Sequence, residues 1–245
     1  MPIGHPLVIL PTVDSTNKYA TQQVHAHMTK HGMAYFAMEQ TQGRGQRGKT
    51  WEASAGENII VSVVTSPLCP FPSDPFIFNA AVALACYDFY KYLAGDETSI
   101  KWPNDIYWRD RKAGGILIEN VVNGSSWCWS IIGIGINVNQ VNFDPSIPNP
   151  VSLRQIRGEI MDPIQLTHQL LASIERYWQI WRSAPQNILK TYNSVLYRKN
   201  QLVKFKAGNR VFEGTVKEVN AYGELVVLTA LEERFKFGEL TWLSH

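Results

Sequence analysis

At 245 residues, with 45% apolar and 18% charged residues, the chain has room for one large domain and one small one, and its composition is that of a soluble globular protein rather than a disordered or fibrous one. A net charge of only +2 argues against a protein whose main business is coating nucleic acid. No apolar run approaches the roughly 20 residues needed to span a bilayer.

In chain order, Met1 to Thr12 has no basic region followed by an apolar stretch and a small-residue cleavage site, so the cytoplasm is the expected compartment. Asp14-Ser15-Thr16-Asn17 supplies N-cap side chains and Gly32 a stop, which predicts a helix from about Thr16 to His31, followed by a strand from Met33 to Glu39. Asn58 to Thr65 is β-branched and apolar, as in a strand buried on both faces. Ser73-Asp74-Pro75 caps a long apolar helix, Phe76 to Leu93, ended by Gly95. Strands are expected around Ser99 to Trp102, Ala113 to Val122 and Trp127 to Val138, the last two joined by a turn at Asn123-Gly124. Pro145 to Pro150 is a loop, and Pro163 to Arg182 and Pro185 to Tyr197 are amphipathic helices. From Asn200 the pattern changes to short alternating strands, Leu202 to Lys206, Arg210 to Val219, Glu224 to Thr229 and Arg234 to Leu240. The expected fold is α+β: a mixed, mostly antiparallel sheet with flanking helices in residues 1–198, then a small carboxy-terminal β-barrel in residues 199–245.

Cys69, Cys86 and Cys128 are widely spaced and form no CxxC pair, which indicates buried free thiols rather than a disulfide framework or zinc knuckle. His27 and His31 stand one helical turn apart beside His25. Without an acidic residue between them or a further ligand cluster, they are read as solvent-facing and given no role.

The run Gly43-Arg44-Gly45-Gln46-Arg47-Gly48-Lys49-Thr50 formally matches both GxGxxG and GxxxxGK[ST]. Each of those phosphate-binding patterns needs a helix directly behind it, whose free N–H groups and positive end hold the phosphate. Only Trp51 to Glu57 separates the run from the next strand, too little for that helix, so both readings fail. The chemistry remains: glycines let the backbone approach a ligand, and Arg44, Arg47 and Lys49 are cations with no acid among them. Such a loop suits an anion, although a solvated basic turn would look the same.

Three further segments accompany it: Asp14 to Asn17, Lys101-Trp102-Pro103-Asn104-Asp105, and Lys112-Ala113-Gly114-Gly115-Ile116-Leu117-Ile118-Glu119. Each has a bland use as a helix cap, a turn or a close backbone contact. In this order and spacing, and with Gly133 to Asn137 after them, they closely resemble the biotin-protein ligases from about Val13 to Asn139. The resemblance implies a class II synthetase-like catalytic domain; because the chain starts almost at the Ser15-Thr16 segment, a monofunctional form without the amino-terminal winged helix of some members, and so without sequence-specific DNA binding, is expected. It also implies ATP-dependent attachment of biotin to a carrier lysine through biotinyl-5'-AMP, with magnesium on the triphosphate.

By the same resemblance, biotin is held by Ser15, Thr16, Asn17, Gln40, Gly43, Arg44, Gly45, Lys112 and Gly115. ATP is held by Arg44, Gln46, Arg47, Lys49, Trp51, Asn104, Lys112 and Asn137, with Trp51 as a stacking face for adenine. Lys112, Arg44, Arg47 and Asp105 are the expected catalytic residues. The reactants of the first step are both anions, so cations are needed to bring them together. Asp105 is placed near the metal or the incoming lysine. Many bacterial members carry arginine at the positions of Gln46 and Lys49, so a looser hold on the adenylate is expected here. The expected acceptor is the biotin carboxyl carrier domain of a biotin-dependent carboxylase, with no membrane partner. A sheet edge is open to a second subunit or to the carrier. A lipoate-protein ligase and a non-catalytic anion-binding module are the competing readings.

Overall fold

The computed structural model describes residues 1–67, 69–70, 75–124 and 126–243. In chain order its elements are β1 (Leu7–Val13), α1 (Thr16–His25), β2 (Ala34–Gln40), β3 (Ile59–Thr65), β4 (Cys69–Pro70), α2 (Pro75–Ala94), β5 (Thr98–Lys101), β6 (Asp105–Trp108), β7 (Arg111–Asn123) and β8 (Ser126–Ile136). Then come α3 (Leu153–Arg157), α4 (Pro163–Ser183), α5 (Ile188–Ser194), β9 (Leu202–Ala207), β10 (Arg210–Val219), β11 (Leu225–Leu228), β12 (Glu232–Phe235) and β13 (Thr241–Leu243). The large sheet runs β1-β2-β3-β8-β7-β6-β5, with β4 beside β8. Among the described strands only β1 and β2 pair in parallel, so the molecule is mixed α+β with a mostly antiparallel sheet. The smaller antiparallel sheet has the order β12-β11-β10-β9-β13.

Strand periodicity decides what each face of the large sheet carries, because successive side chains point to opposite sides. Ile59, Val61 and Val63 of β3 enter the main core with Ile132, Ile134 and Ile136 of β8 and Ile116 of β7. Helix α2 lies on that side and is apolar nearly all round, as its burial between the sheet and α4 requires. The opposite face carries a small cluster, Ala20, Val24, Tyr35, Val64 and Ile131, under α1. Beside that cluster the same face is floored by glycines. Ile60 pairs with Gly135, Gly135 with Gly115, Gly115 with Asp105 and Asp105 with Lys101, so one cross-strand row passes from an aliphatic residue over two glycines to two charged groups.

A β-bulge adds the catalytic candidate to this face. Ile106 pairs with Gly114 but Tyr107 pairs with Lys112, which leaves Ala113 as the extra residue. The one-residue shift exchanges faces, so Lys112 stands with Asp105 and Tyr107 rather than with the core side chains of β7.

The terminal sheet shares the main core, with Val203, Phe205, Val216, Val219 and Phe235 in one cluster with Phe76 and Trp102. The Trp102 indole donates to Gly223 O at 3.0 Å. The buried Asn193 amide exchanges hydrogen bonds of 2.8 and 2.7 Å with the backbone of Val219. Among the described residues no helix is long and apolar enough to cross a membrane.

Several expectations need correction. Helix α1 stops at His25, because His27 turns left-handed (φ +56°) and the amides of Ala26 and Met28 close the helix on Gln22 and Gln23. Gly32 instead feeds β2, its N–H bonding Val64 O at 2.8 Å. Strand β1 was not expected; it is an edge strand with mixed exposure and carries Pro11, so it lacks the regular alternation that marks a strand. Strand β6 and the short helix α3, closed by a Ser152/Gln155 capping box, were likewise not expected. The helix expected over Pro185 to Tyr197 becomes a 3-10 turn at Pro185–Asn187 followed by α5. Of the strand expected over Arg234 to Leu240 only Arg234 and Phe235 pair, within β12; the chain then turns at Gly238 (φ +91°), and β13 begins beyond the expected range. Ser73 and Asp74, read as helix caps, lie outside the described residues.

Candidate active site

A cavity of about 590 Å³ opens over the glycine-floored face. Its walls are the amino terminus of α1, the 43–50 loop, strands β5 to β7, and the segment from Phe237 to Leu243. That loop is a miniature hairpin. Gly45 N donates to Lys49 O at 2.7 Å, Arg44 bridges to Thr50, and Trp51 N returns to Gly43 O at 3.0 Å. Arg47 (φ +56°) and Gly48 (φ +76°) form its tip. No α-helix follows before β3, which agrees with the rejection of both phosphate-loop readings.

One end of the cavity is neutral and polar. Ser15, Thr16 and Asn17 are buried there, and although Ser15 is at the N-cap position its side chain makes no capping bond. Thr16 donates to Gln40 Oε1 through its amide at 2.7 Å and its hydroxyl at 3.1 Å. Ser62 Oγ donates to Asn17 Oδ1 at 2.6 Å and lies 2.7 Å from Thr16 Oγ1. Asn17 Nδ2 donates to Glu119 Oε2 at 2.8 Å, which fixes the amide with its oxygen toward Ser62. These groups offer donors and acceptors without net charge, and Arg44, 3.6 Å from Glu119, stands at their border.

The other end is ionic. Lys112 Nζ lies 2.8 Å from Asp105 Oδ1, and each side chain is about a quarter exposed, at 27%. Arg47 reaches across to the terminal sheet, its guanidinium 5.9 Å from the Phe237 ring centre and packed against Gly238. Between the two ends the Trp51 ring rests on the floor. A Cβ on Gly135 would overlap the indole, and one on Gly115 would stand 3.4 Å from it. Among the described residues the buried indole Nε1–H has no hydrogen-bond partner, and Lys112 Nζ is 5.8 Å from the ring centre.

Of the expected site residues, Ser15, Thr16, Asn17, Gln40, Arg44, Gly45, Gln46, Arg47, Lys49, Trp51, Asn104, Asp105, Lys112 and Gly115 line this cavity. Gly43 and Asn137 do not. Gly43 packs behind the loop against the Trp51 backbone, and the buried Asn137 amide donates away from the cavity, to Val151 O at 3.1 Å. Asn104 is used structurally as well, its amide donating to Ile116 O. The sequence reading missed Ser62, Glu119, Lys101, Tyr107, Tyr197 and the 237–243 segment. For Ser62 a signal was present: a lone hydroxyl within the otherwise apolar Ile59 to Val64.

Lys101 is pulled down to about 8, first by burial, with Asp105 opposing the shift and Lys112 adding to it. Among the described residues no group of three His, Cys, Asp or Glu side chains could hold a metal. His25 and His27 are exposed as expected, but His31 is not: it is half-buried, accepts from Ser66 N at 3.1 Å and lies 5.0 Å from the Trp178 ring. Cys86 is buried and Cys128 half-buried, both free.

A model of the biotin/lipoate A/B protein ligase family matches residues 9–137. The bifunctional ligase/repressor BirA of Escherichia coli strain K12 is 27% identical over 229 residues, covering 91% of this chain and 70% of its own. The biotin–[acetyl-CoA-carboxylase] ligase of Paracoccus denitrificans is 31% identical over 178 residues, covering 70% of this chain and 72% of its own. Among solved structures, the biotin protein ligase from Aquifex aeolicus in complex with biotin and ATP superposes with a TM-score of 0.81 at 24% identity, covering 98% of this chain and 99% of its own, a likeness of fold.

Proposed function

The chain belongs to the biotin/lipoate A/B protein ligase family, and from that premise we propose that it joins biotin, at the expense of ATP, to a lysine of a biotin carrier protein. The observation that carries this reading is the two-ended cavity, neutral and hydrogen-bonding at Ser15, Thr16, Asn17 and Gln40 and cationic at Lys112, Arg44, Arg47 and Lys49. A neutral ureido ring suits the first end, and a carboxylate meeting a phosphate suits the second.

In the first step a biotin carboxylate oxygen attacks the α-phosphorus of ATP, and the bond to the bridging oxygen breaks to release pyrophosphate. Lys112 stands where an ammonium can face both anions, and its partner Asp105 holds it aimed. Arg44 and Arg47 neutralise phosphate oxygens from the loop. In the second step the carrier amine attacks the acyl carbon, AMP leaves with the electron pair of the acyl-phosphate bond, and the amine loses its proton. No protein nucleophile is required, so these residues work by position and charge. Trp51, which lies in the cavity on the glycine floor, is the stacking face for adenine. Magnesium, when bound, neutralises the triphosphate.

We read residues 1–198 as the catalytic unit, class II synthetase-like in layout, and residues 199–245 as the small barrel. The acceptor is the carrier domain of a biotin-dependent carboxylase, in the cytoplasm. Incubation with ATP, magnesium, an apo carrier domain and either biotin or lipoate tests the reading by mass. The biotin arm is expected to shift the carrier and the lipoate arm to leave it unchanged. A shift with lipoate alone, or with neither acid, overturns it.

A further inference from the structure

Lys101 has no part in the chemistry above, yet it lines the same cavity and closes the cross-strand row that passes through Asp105 and Gly115. Its ammonium sits in a box of rings: 4.6 Å from the centre of Tyr107, 5.4 Å from Trp242 and 5.5 Å from Tyr197. One of its three donors is engaged, with Tyr107 Oη at 3.2 Å. The neighbouring cations have carboxylates: Lys112 has Asp105 at 2.8 Å, Arg198 has Asp110 at 2.8 Å and Arg44 has Glu119 at 3.6 Å. Among the described residues Lys101 has no carboxylate within ion-pair distance. Asp105 and Asp110 face this half-buried ammonium from beyond contact, and Lys112 and Arg198 oppose them, so an anion in contact with it is the ligand that would complete it.

The direction of the row says which anion. Lys112 takes the α-phosphate, and Lys101 stands farther along the same face, with β5 two strand spacings from β7, or about 10 Å. Resting on the ligase reading, we propose that Lys101, within its box of Tyr107, Tyr197 and Trp242, binds the terminal phosphates of the nucleotide and the pyrophosphate they become. When the bond between the α-phosphorus and the bridging oxygen breaks, the electron pair stays on pyrophosphate. Lys101 stabilises that added charge and remains protonated, so no proton is transferred. Its lowered affinity for a proton fits a cation waiting for its counter-charge. Trp242 and Tyr197 bring the terminal strand and the connecting segment into this subsite, giving β13 a direct part in holding the leaving group.

Calorimetric titration of the full chain with inorganic tripolyphosphate, in the absence of magnesium, tests the subsite apart from catalysis. Methionine fits an aromatic box without charge, so Lys101→Met is expected to bind tripolyphosphate about tenfold more weakly, and Lys101→Arg to stay close to the unaltered protein. Lys101→Gln stands in if the methionine variant does not fold. Biotin binding, measured alongside, is expected to be unchanged in each variant. Tripolyphosphate bound by the neutral variant as tightly as by the unaltered protein would overturn the assignment. Absence of biotin binding by the unaltered protein would instead overturn the ligase reading, while the tripolyphosphate comparison would still decide the role of Lys101.

Discussion

Lys112 shows how a single side chain acquires a role from its surroundings. Alone it is a charged residue beside a hairpin, but the bulge turns it onto the cavity face and Asp105 holds it there at 2.8 Å. Lys112→Ala is expected to slow biotin-dependent pyrophosphate release by about a thousandfold, the scale of losing one oriented charge-stabilising group; a variant within tenfold of the unaltered protein would deny it that role. Ser62 is a milder case. It orients Thr16 and Asn17 at the neutral end, so Ser62→Ala should raise the KM for biotin about tenfold and leave kcat nearly unchanged, the pattern of an interaction made equally in ground and transition states. Lys101 adds a pH dependence. Its ammonium is facing Asp105, Lys112, Asp110 and Arg198, is present below its lowered value of about 8 and is lost above it. The KM for ATP should therefore rise between pH 7 and pH 9, and Lys101→Met should flatten that rise. Most cavity residues were legible because their motifs are contiguous. Glu119 and Ser62 were not assigned, because their work is to orient other side chains across strands.

At the level of elements, legibility followed burial. Helix α2 and strand β3 were readable because they are covered on all sides, and α4 because its apolar stripe has the helical period. Strands β1 and β6 escaped, the first as an irregular edge and the second because Pro103 and Asn104 end β5 in a turn so short that the two strands read as one element and a loop. Helix α4 also offers a clean test of local energetics. Asp162 accepts from the amides of Ile164 and Gln165 at 2.8 and 3.3 Å and does not line the cavity. Asp162→Ala should lower unfolding free energy by about 1 kcal/mol in urea and leave ligation unchanged; a full loss of activity would show that α4 reports to the site.

For the whole molecule, the unreadable part was the union of the two sheets. Nothing in the residues around Phe237 announces that they meet Arg47, since the contact joins distant parts of the chain and depends on the docking of the entire terminal sheet. Gly238 is the tightest point of that union: its φ is +91° and a Cβ there would overlap the Arg47 guanidinium. Gly238→Ala should raise the KM for ATP severalfold while biotin binding holds, as read by separate titrations; equal losses for both would mean that the sheet itself had come away.

The bulge at Lys112 to Gly114 has a further consequence, for length rather than for sequence. Between Asp105 and Gly115 the chain keeps two different phases of side-chain alternation, and Ala113 is the residue that reconciles them. Deleting Ala113 would close the bulge into a regular ladder, with Lys112 still opposite Tyr107 on the cavity face beside Asp105, and would remove one buried apolar side chain from the core. The cavity face should therefore survive the loss of this one extra residue, the cost falling on the packing beneath it.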